Sequence, residues 1–220
     1  MYSIALIGPD GAGKTTLTRR LEQSGLLRFR YLYMGVNSAA SNVALPTSRL
    51  AERFKARATG AHATKGASLA TRVVRVTHLR PMARLVNRLA DAWFRQGVSW
   101  YYQLRGFVVL YDRHYVFDFA PEIAIDSHEP IDKSLHRWML AHFYPRPTLV
   151  IFLDAPGEVL FARKGESTVE ELERRRQAFL RQGERVAGFV RVDATRPLDD
   201  VYDEVVAHVL RTRRGERWAN

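Results

Sequence analysis

Gly8, Gly11, Gly13, Lys14 and Thr15 stand in the order Gly-x-x-x-x-Gly-Lys-Thr, with Thr16 next. Those types at that spacing suit one task, the cradling of phosphate. The glycines let the backbone turn so that successive N–H groups, that of Ala12 among them, point inward at anionic oxygens. A helix beginning near Lys14 presents its positive end to the same anion. The Lys14 ammonium can reach β and γ phosphates, and the Thr15 hydroxyl is a hard oxygen ligand for Mg²⁺. Lys14 is expected to be an exposed cation with no packing role. The plain alternative is an ordinary glycine-rich turn, but an apolar run at Ile4–Ile7 precedes it and a Leu17/Leu21 helical pattern follows it.

Two further groups have chemical potential. Asp112 and Arg113 directly follow the apolar stretch Phe107-Val-Val-Leu-Tyr111. A carboxylate there can hold Mg²⁺ or orient an acceptor oxygen, and a guanidinium can grip a phosphate with two parallel hydrogen bonds. An ion pair closing a strand is the competing reading. Arg163, Lys164 and Arg174–Arg176 flank a short polar turn at Gly165. Cations on a loop that closes over bound phosphates would neutralise charge and exclude water.

These residues need a frame. Short apolar, β-branched runs predict strands at 2–7, 30–34, 107–112, 148–154 and 189–193. Helical periodicity covers about 14–23, 47–58, 68–79, 81–104, 131–143, 156–163, 168–182 and 198–213. Pro81 and Pro156 are placed to open helices. Ser167 with Glu170, or Thr168 with Glu171, can form a capping box. Residues 36–46 and 59–67 have loop composition. The alternation predicts an α/β fold, a three-layer doubly wound sandwich with a five-stranded parallel sheet, whose ligands meet the carboxyl ends of the strands. A length of 220 residues fits one domain spanning 1–220. The absence of cysteine excludes disulfides and thiolate chemistry and suits a reducing compartment. Met1 opens directly on the first strand, and no leader or spanning segment is visible, so a cytoplasmic location is expected.

Together the motifs resemble the thymidylate kinase family of P-loop nucleoside monophosphate kinases. The order is an acid-Gly-x-Gly-Lys-Thr-Thr loop, a strand ending Asp-Arg, the turn "LDAPGEVLFARKGE", and "RVDATRPLDDVYDEV" at the last strand. The likeness covers 1–35 and 106–210 and is poor between. It implies ATP with Mg²⁺ as donor, a phosphorylated or otherwise anionic acceptor, and in-line transfer, with dTMP to dTDP as the leading reaction. It implies that Gly8, Gly11, Ala12, Gly13, Lys14, Thr15 and Thr16 hold donor phosphates. Asp10 would face the acceptor. Thr15 and Asp112 would serve the metal, Arg113 the acceptor phosphate, and Arg163 the lid, which spans about 161–176. The turn Asp193–Arg196, with Thr195 and Arg196, would pass near adenine. Homodimers fit the same resemblance.

The acceptor side departs from the family. Where the family has Arg-Glu-Pro-Gly-Gly, this chain reads "YMGVNSAASNVALPTSRL", and the third residue of Asp-Arg-Tyr is His114. A same-fold kinase acting on a sugar or glycan is therefore the second reading. The third is a nucleotide-dependent binding protein. Residues 36–105 hold twelve Lys and Arg against Glu52 and Asp91, almost the whole net charge of +11. That bias suits an anionic or membrane-apposed acceptor, or else a solvated helical face. Nucleic acid is not favoured, because the basic residues are not interleaved with aromatics in the manner of RNA modules. Arg84, Arg88, Asp91 and Arg95 share a helix face in this region. With Arg49 and Arg53 they are expected to border the acceptor entrance, while Leu85, Leu89, Ala92, Val86 and Trp93 pack inward. Trp93, Trp100, Tyr101 and Tyr102 read as helix core. No histidine spacing suggests a metal, and Arg211–Arg217 reads as a frayed helix end.

Overall fold

The structure is a computed structural model of the chain and describes residues 2–35, 42, 43, 45, 79–118, 131–165 and 167–215. The helix expected at 47–58, nearly all of that at 68–79, the loop at 59–67, and Arg49 and Arg53 lie outside the described residues.

Five strands form one parallel sheet: β1 (Ser3–Ile7), β2 (Phe29–Tyr33), β3 (Val108–Asp112), β4 (Leu149–Asp154) and β5 (Phe189–Asp193). Their order is β2-β3-β1-β4-β5. Every residue of β1, β3 and β4 is buried, as the unbroken apolar runs require of strands covered on both faces. The described helices are α1 (Lys14–Gln23), α2 (Leu79–Leu104), the single turn α3 (Tyr115–Asp118), α4 (Ile131–Phe143), α5 (Gly157–Lys164), α6 (Val169–Gly183) and α7 (Leu198–Arg213).

Alternate strand residues feed two separate cores. One sets Ile4, Leu6, Leu110 and Ile151 against Leu17 and Leu21 of α1 and Val201, Val205 and Val209 of α7. The other sets Ala5, Ile7, Tyr111 and Phe152 against Ala92 of α2, Leu140 of α4 and Phe179 of α6. Helices thus cover both faces, an arrangement compatible with a three-layer sandwich. No described helix is long and apolar enough to cross a membrane. Thr168, rather than Ser167, caps α6: its side chain accepts a hydrogen bond from the Glu171 N–H at 3.2 Å.

The topology decides where a ligand meets the fold. β1 lies between β3 and β4; α1, which follows β1, packs in the first core, whereas α4, which follows β3, packs in the second, so these two connections run to opposite faces. A crevice opens at the carboxyl end of such a strand. Registers Leu6↔Asp112, Tyr33↔Asp112 and Asp154↔Asp193 bring the ends of all five strands to that edge.

Helix α2 corrects two expectations. Trp93, Trp100 and Tyr101 are not core: they are 40%, 37% and 50% exposed, and Val86 is exposed beside them. Arg95, in contrast, is 1% exposed, paired with Asp91 and donating to the Gly35 carbonyl at 2.9 Å. The apolar count of the helix exceeds what one core face can hold. A buried carboxylate makes room for the arginine on the core side instead. Arg84 and Arg88 face Asp132 of α4 at 3.6 and 3.3 Å, so the basic face has a protein anion opposite it.

His114 is fully buried, its ring 5.4 Å from that of Tyr111 and 5.7 Å from that of Tyr144. Burial drives its pKa down to about 3, so it folds neutral. The unfolded chain takes up that proton near pH 6.5, so stability is full above that value and falls as pH drops toward 3. His136, lowered to about 4 by burial and then by Arg88, adds to the same trend. At pH 5 the His114 contribution alone is about 2 kcal/mol. Melting curves at pH 7 and pH 5 should therefore show a smaller acid loss in His114→Gln than in the wild type. Equal losses would mean that His114 takes up its proton in the folded state.

Candidate phosphate-handling site

The loop from Gly8 to Gly13 leaves β1 at the crevice. Gly11 has φ +90°, and a Cβ there would sit 2.7 Å from the Leu160 carbonyl oxygen, so α5 itself demands a glycine. Gly13 differs. It caps α1 in the left-handed region at φ +86°, but a Cβ would meet nothing within 4 Å. Here the backbone angle, not crowding, selects glycine. The amides that follow it open α1 toward the same side.

Lys14 overturns one expectation. It is 6% exposed, and its ammonium donates to the Gly8 and Pro9 carbonyls at 2.7 Å each. The loop curls around its own lysine because carbonyls left by the turn need donors. Lys14 therefore braces the loop as well as charging it.

Thr15 and Asp112 come together although 97 residues separate them. The Thr15 hydroxyl donates to Asp112 Oδ2 at 3.0 Å, and the Tyr31 hydroxyl donates to the same oxygen at 3.3 Å. Burial, and then the Asp112 charge, raise the Tyr31 pKa, so that phenol stays a donor. Two hard oxygen donors at one point make a suitable partial shell for Mg²⁺, which takes its other ligands from phosphates and water. Among the described residues no cluster of three or more His, Cys, Asp or Glu forms a competing metal site.

Arg113 adopts φ +65°, a rare angle for a side-chain-bearing residue. That turn sends its guanidinium back across the crevice, where Nη2 donates to Asp10 Oδ1 at 2.6 Å. Asp10 also faces Arg175 Nη1 at 3.5 Å and Lys164 Nζ at 4.0 Å. Burial alone would raise the Asp10 pKa; Arg113, Lys14, Lys164 and Arg175 together outweigh it and hold the carboxyl below its ordinary value. Asp10 is thus an anion encircled by cations from the loop, from the residue after β3 and from α5 and α6.

The lid region divides. Lys164 and Arg175 reach Asp10, whereas Arg163 donates to the Ala194 carbonyl at 2.9 Å and sits by the β5 turn. There Thr195 donates its N–H and hydroxyl to Asp193 Oδ1, at 2.9 and 2.7 Å. Arg196 pairs with Glu204. Arg191, Asp193, Arg196 and Glu204 line an open cleft of ≈ 440 Å³. Thr16 follows Thr15 in the first turn of α1 and is exposed.

Three participants were not singled out from sequence. Tyr31 supports Asp112. Asp154, buried at the end of β4, accepts from Arg176 Nη2 at 3.1 Å and from Arg191 Nε at 2.6 Å, tying α6 to β5. Asp154 had a signal, the same one as Asp112: an acid ending a buried apolar run. Tyr31 and Arg191 had none, because partners 81 and 37 residues away are set by sheet register.

No protein-family model matches this chain, and no curated protein matches it.

Proposed function

We propose that the chain is a P-loop phosphotransferase of the thymidylate kinase-like type. It would move the γ-phosphoryl group of ATP, with Mg²⁺, to a nucleoside monophosphate, dTMP giving dTDP. One observation carries the reading: the Thr15–Asp112 pair and the Arg113–Asp10 pair converge on the mouth of a glycine loop at the carboxyl edge of a parallel sheet.

Each residue then has a task. The Gly11–Thr16 amides and the start of α1 bind donor phosphates. Thr15 and Asp112 would hold Mg²⁺, which would supply charge neutralisation to the donor phosphates. Lys14 offsets the charge that grows on the leaving phosphate. Arg113 grips the acceptor's anionic group, and Asp10 holds the guanidinium in place for it. Lys164 and Arg175 border the same point from the lid and exclude water. No protein nucleophile is needed, because positioning and charge neutralisation suffice.

A second reading keeps this donor half and changes the acceptor to a sugar or glycan. Its support is the crowding beside Arg113: a Cβ on Gly35 would lie 2.6 Å from the Tyr33 hydroxyl and 3.0 Å from Arg113 Cδ. Tyr33 and Arg113 thus both press on Gly35, in the stretch that reads differently from the family's Arg-Glu-Pro-Gly-Gly. ADP release should be measured with dTMP, the other nucleoside monophosphates and a sugar panel. Acceptor-dependent release is expected. Release that no acceptor stimulates would remove the transferase reading.

Arg113→Lys separates the two halves of the site. Lysine keeps the charge and would occupy the same strained φ, but it loses the two-pronged donor. The acceptor KM should rise about tenfold or more while ATP affinity, measured by titration, stays within about threefold. A collapse of ATP affinity alone would move Arg113 to the donor side.

A further inference from the structure

The edge of the sheet opposite the glycine loop has a composition of its own. Three turns enter the amino ends of β2, β3 and β4, and each pairs a large exposed apolar side chain with an arginine close behind it. They are Leu26 with Arg28, Leu104 with Arg105, and Phe143 with Arg146. The apolar members are 52%, 73% and 62% exposed. The sheet order puts β2, β3 and β4 within three strand spacings, about 14 Å, so the three tips share one edge. The first two turns are joined directly: the Val108 N–H donates to the Arg28 carbonyl at 2.9 Å. Amphipathic rings stand behind the tips. Tyr101, half exposed, lies one helical turn before Leu104, and Trp138, half exposed, has its ring 5.7 Å from that of Phe143.

The arginines of this edge rest on rings rather than on acids. Arg28 lies over Phe107 at 4.4 Å, Arg105 over Tyr101 at 4.9 Å, and Arg30 over Tyr102 at 5.0 Å. Among the described residues no carboxylate pairs with Arg28, Arg30, Arg105 or Arg146. The Tyr2 hydroxyl donates to the Val209 carbonyl at 3.0 Å, which brings the end of α7, with Arg211, Arg213 and Arg214, to the same edge. The helices that run to this edge bring two acids to their ends, Glu22 and Glu184. Cations at helix C-termini answer the helix dipole by themselves. That reason does not cover Leu26, Leu104 and Phe143, which it leaves in water. Protruding apolar tips, tyrosine and tryptophan behind them and arginines without acids beside them match the layers of an anionic bilayer, read from the acyl chains outward.

We propose that the chain docks on anionic lipid bilayers through this amino edge of the sheet, with Leu26, Leu104 and Phe143 entering the acyl boundary and Arg28, Arg105 and Arg146 meeting lipid phosphates. The inference is independent of the proposed reaction. β1 is 5 residues long, about 17 Å, so docking leaves the glycine loop at its far end facing water. A polyanion such as RNA would match the arginines but not the aliphatic tips.

The test uses the full chain with two kinds of vesicle, phosphatidylcholine alone and phosphatidylcholine mixed with phosphatidylglycerol. Flotation should carry the chain with the mixed vesicles and not with the neutral ones, and raised salt should release it. Leu26→Ser, Leu104→Ser and Phe143→Ser combined should weaken binding about a hundredfold or more, because three apolar side chains leave the acyl boundary. Arg105→Glu with Arg146→Glu should weaken it about as much. All five positions are exposed, so melting temperatures should stay near wild type. Met82→Ser with Val86→Ser, at the other end of α2 and equally exposed, is the control and should leave binding unchanged. The chain has no cysteine, so an environment-sensitive dye on Leu104→Cys or on Met82→Cys reports one place. The two positions lie about 33 Å apart along α2. With mixed vesicles the dye at position 104 should shift to the blue and the dye at position 82 should not. A chain that stays in water beside the mixed vesicles overturns the inference, including one that binds RNA or a second copy through this edge instead. So does equal binding to both kinds of vesicle, so does binding indifferent to both sets of variants, and so does a blue shift at position 82 without one at position 104.

Discussion

Lys14→Ala should lower acceptor-dependent ADP release by about a thousandfold or more, roughly 4 kcal/mol of transition-state stabilisation. The lysine is the cation nearest the expected path of the leaving phosphate, and no other group stands in its place within the loop. The structure adds a second, smaller effect. Lys14 donates to the Gly8 and Pro9 carbonyls, so alanine leaves both without that donor. The stability cost is about 1–3 kcal/mol, visible as a fall of several degrees in melting temperature with unchanged circular dichroism. Turnover should therefore be compared well below both melting points. Retention of more than about a tenth of wild-type turnover there would remove the phosphate-cradle assignment.

Asp112→Asn comes next in expected effect. The amide is nearly the same shape, and its oxygen can still accept from Thr15 and Tyr31, whose hydroxyls reach Asp112 Oδ2 at 3.0 and 3.3 Å. The fold should survive. What is lost is a negative charge where Mg²⁺ would bind. The turnover number should fall about a hundredfold or more, and the Mg²⁺ concentration for half activity should rise about tenfold. A variant with reduced turnover but an unaltered Mg²⁺ titration would make Asp112 a brace for α1 rather than a metal ligand. Thr15→Ser offers the internal comparison, because it keeps the hydroxyl and should leave the Mg²⁺ titration near wild type.

Sequence alone determined the frame, because the frame rests on local patterns. Short apolar, β-branched runs bounded by turn residues fit strands covered on both sides, and β1, β3 and β4 are buried throughout. The helices at Lys14–Gln23, Ile131–Phe143 and Leu198–Arg213 follow the 3.6-residue period with the expected boundaries. The glycine loop was legible for the same reason: its residues are consecutive. Only the tertiary structure decided which side chains meet. Asp10 acquires Arg113 from the end of β3 and Lys164 and Arg175 from the β4–β5 connection, and no spacing within the sequence encodes their convergence. Arg163 and Lys164 are neighbours in sequence but go to opposite ends of the site, because successive residues on a helix point about 100° apart. Lys14 looked exposed because lysine usually is; a loop curled around its own ammonium buries it. The aromatics of α2 looked like core because apolar residues usually are. Which face of a two-faced apolar helix meets the sheet is settled by the neighbours it packs against, and here Leu85 and Ala92 are inside while Trp93 and Trp100 are outside.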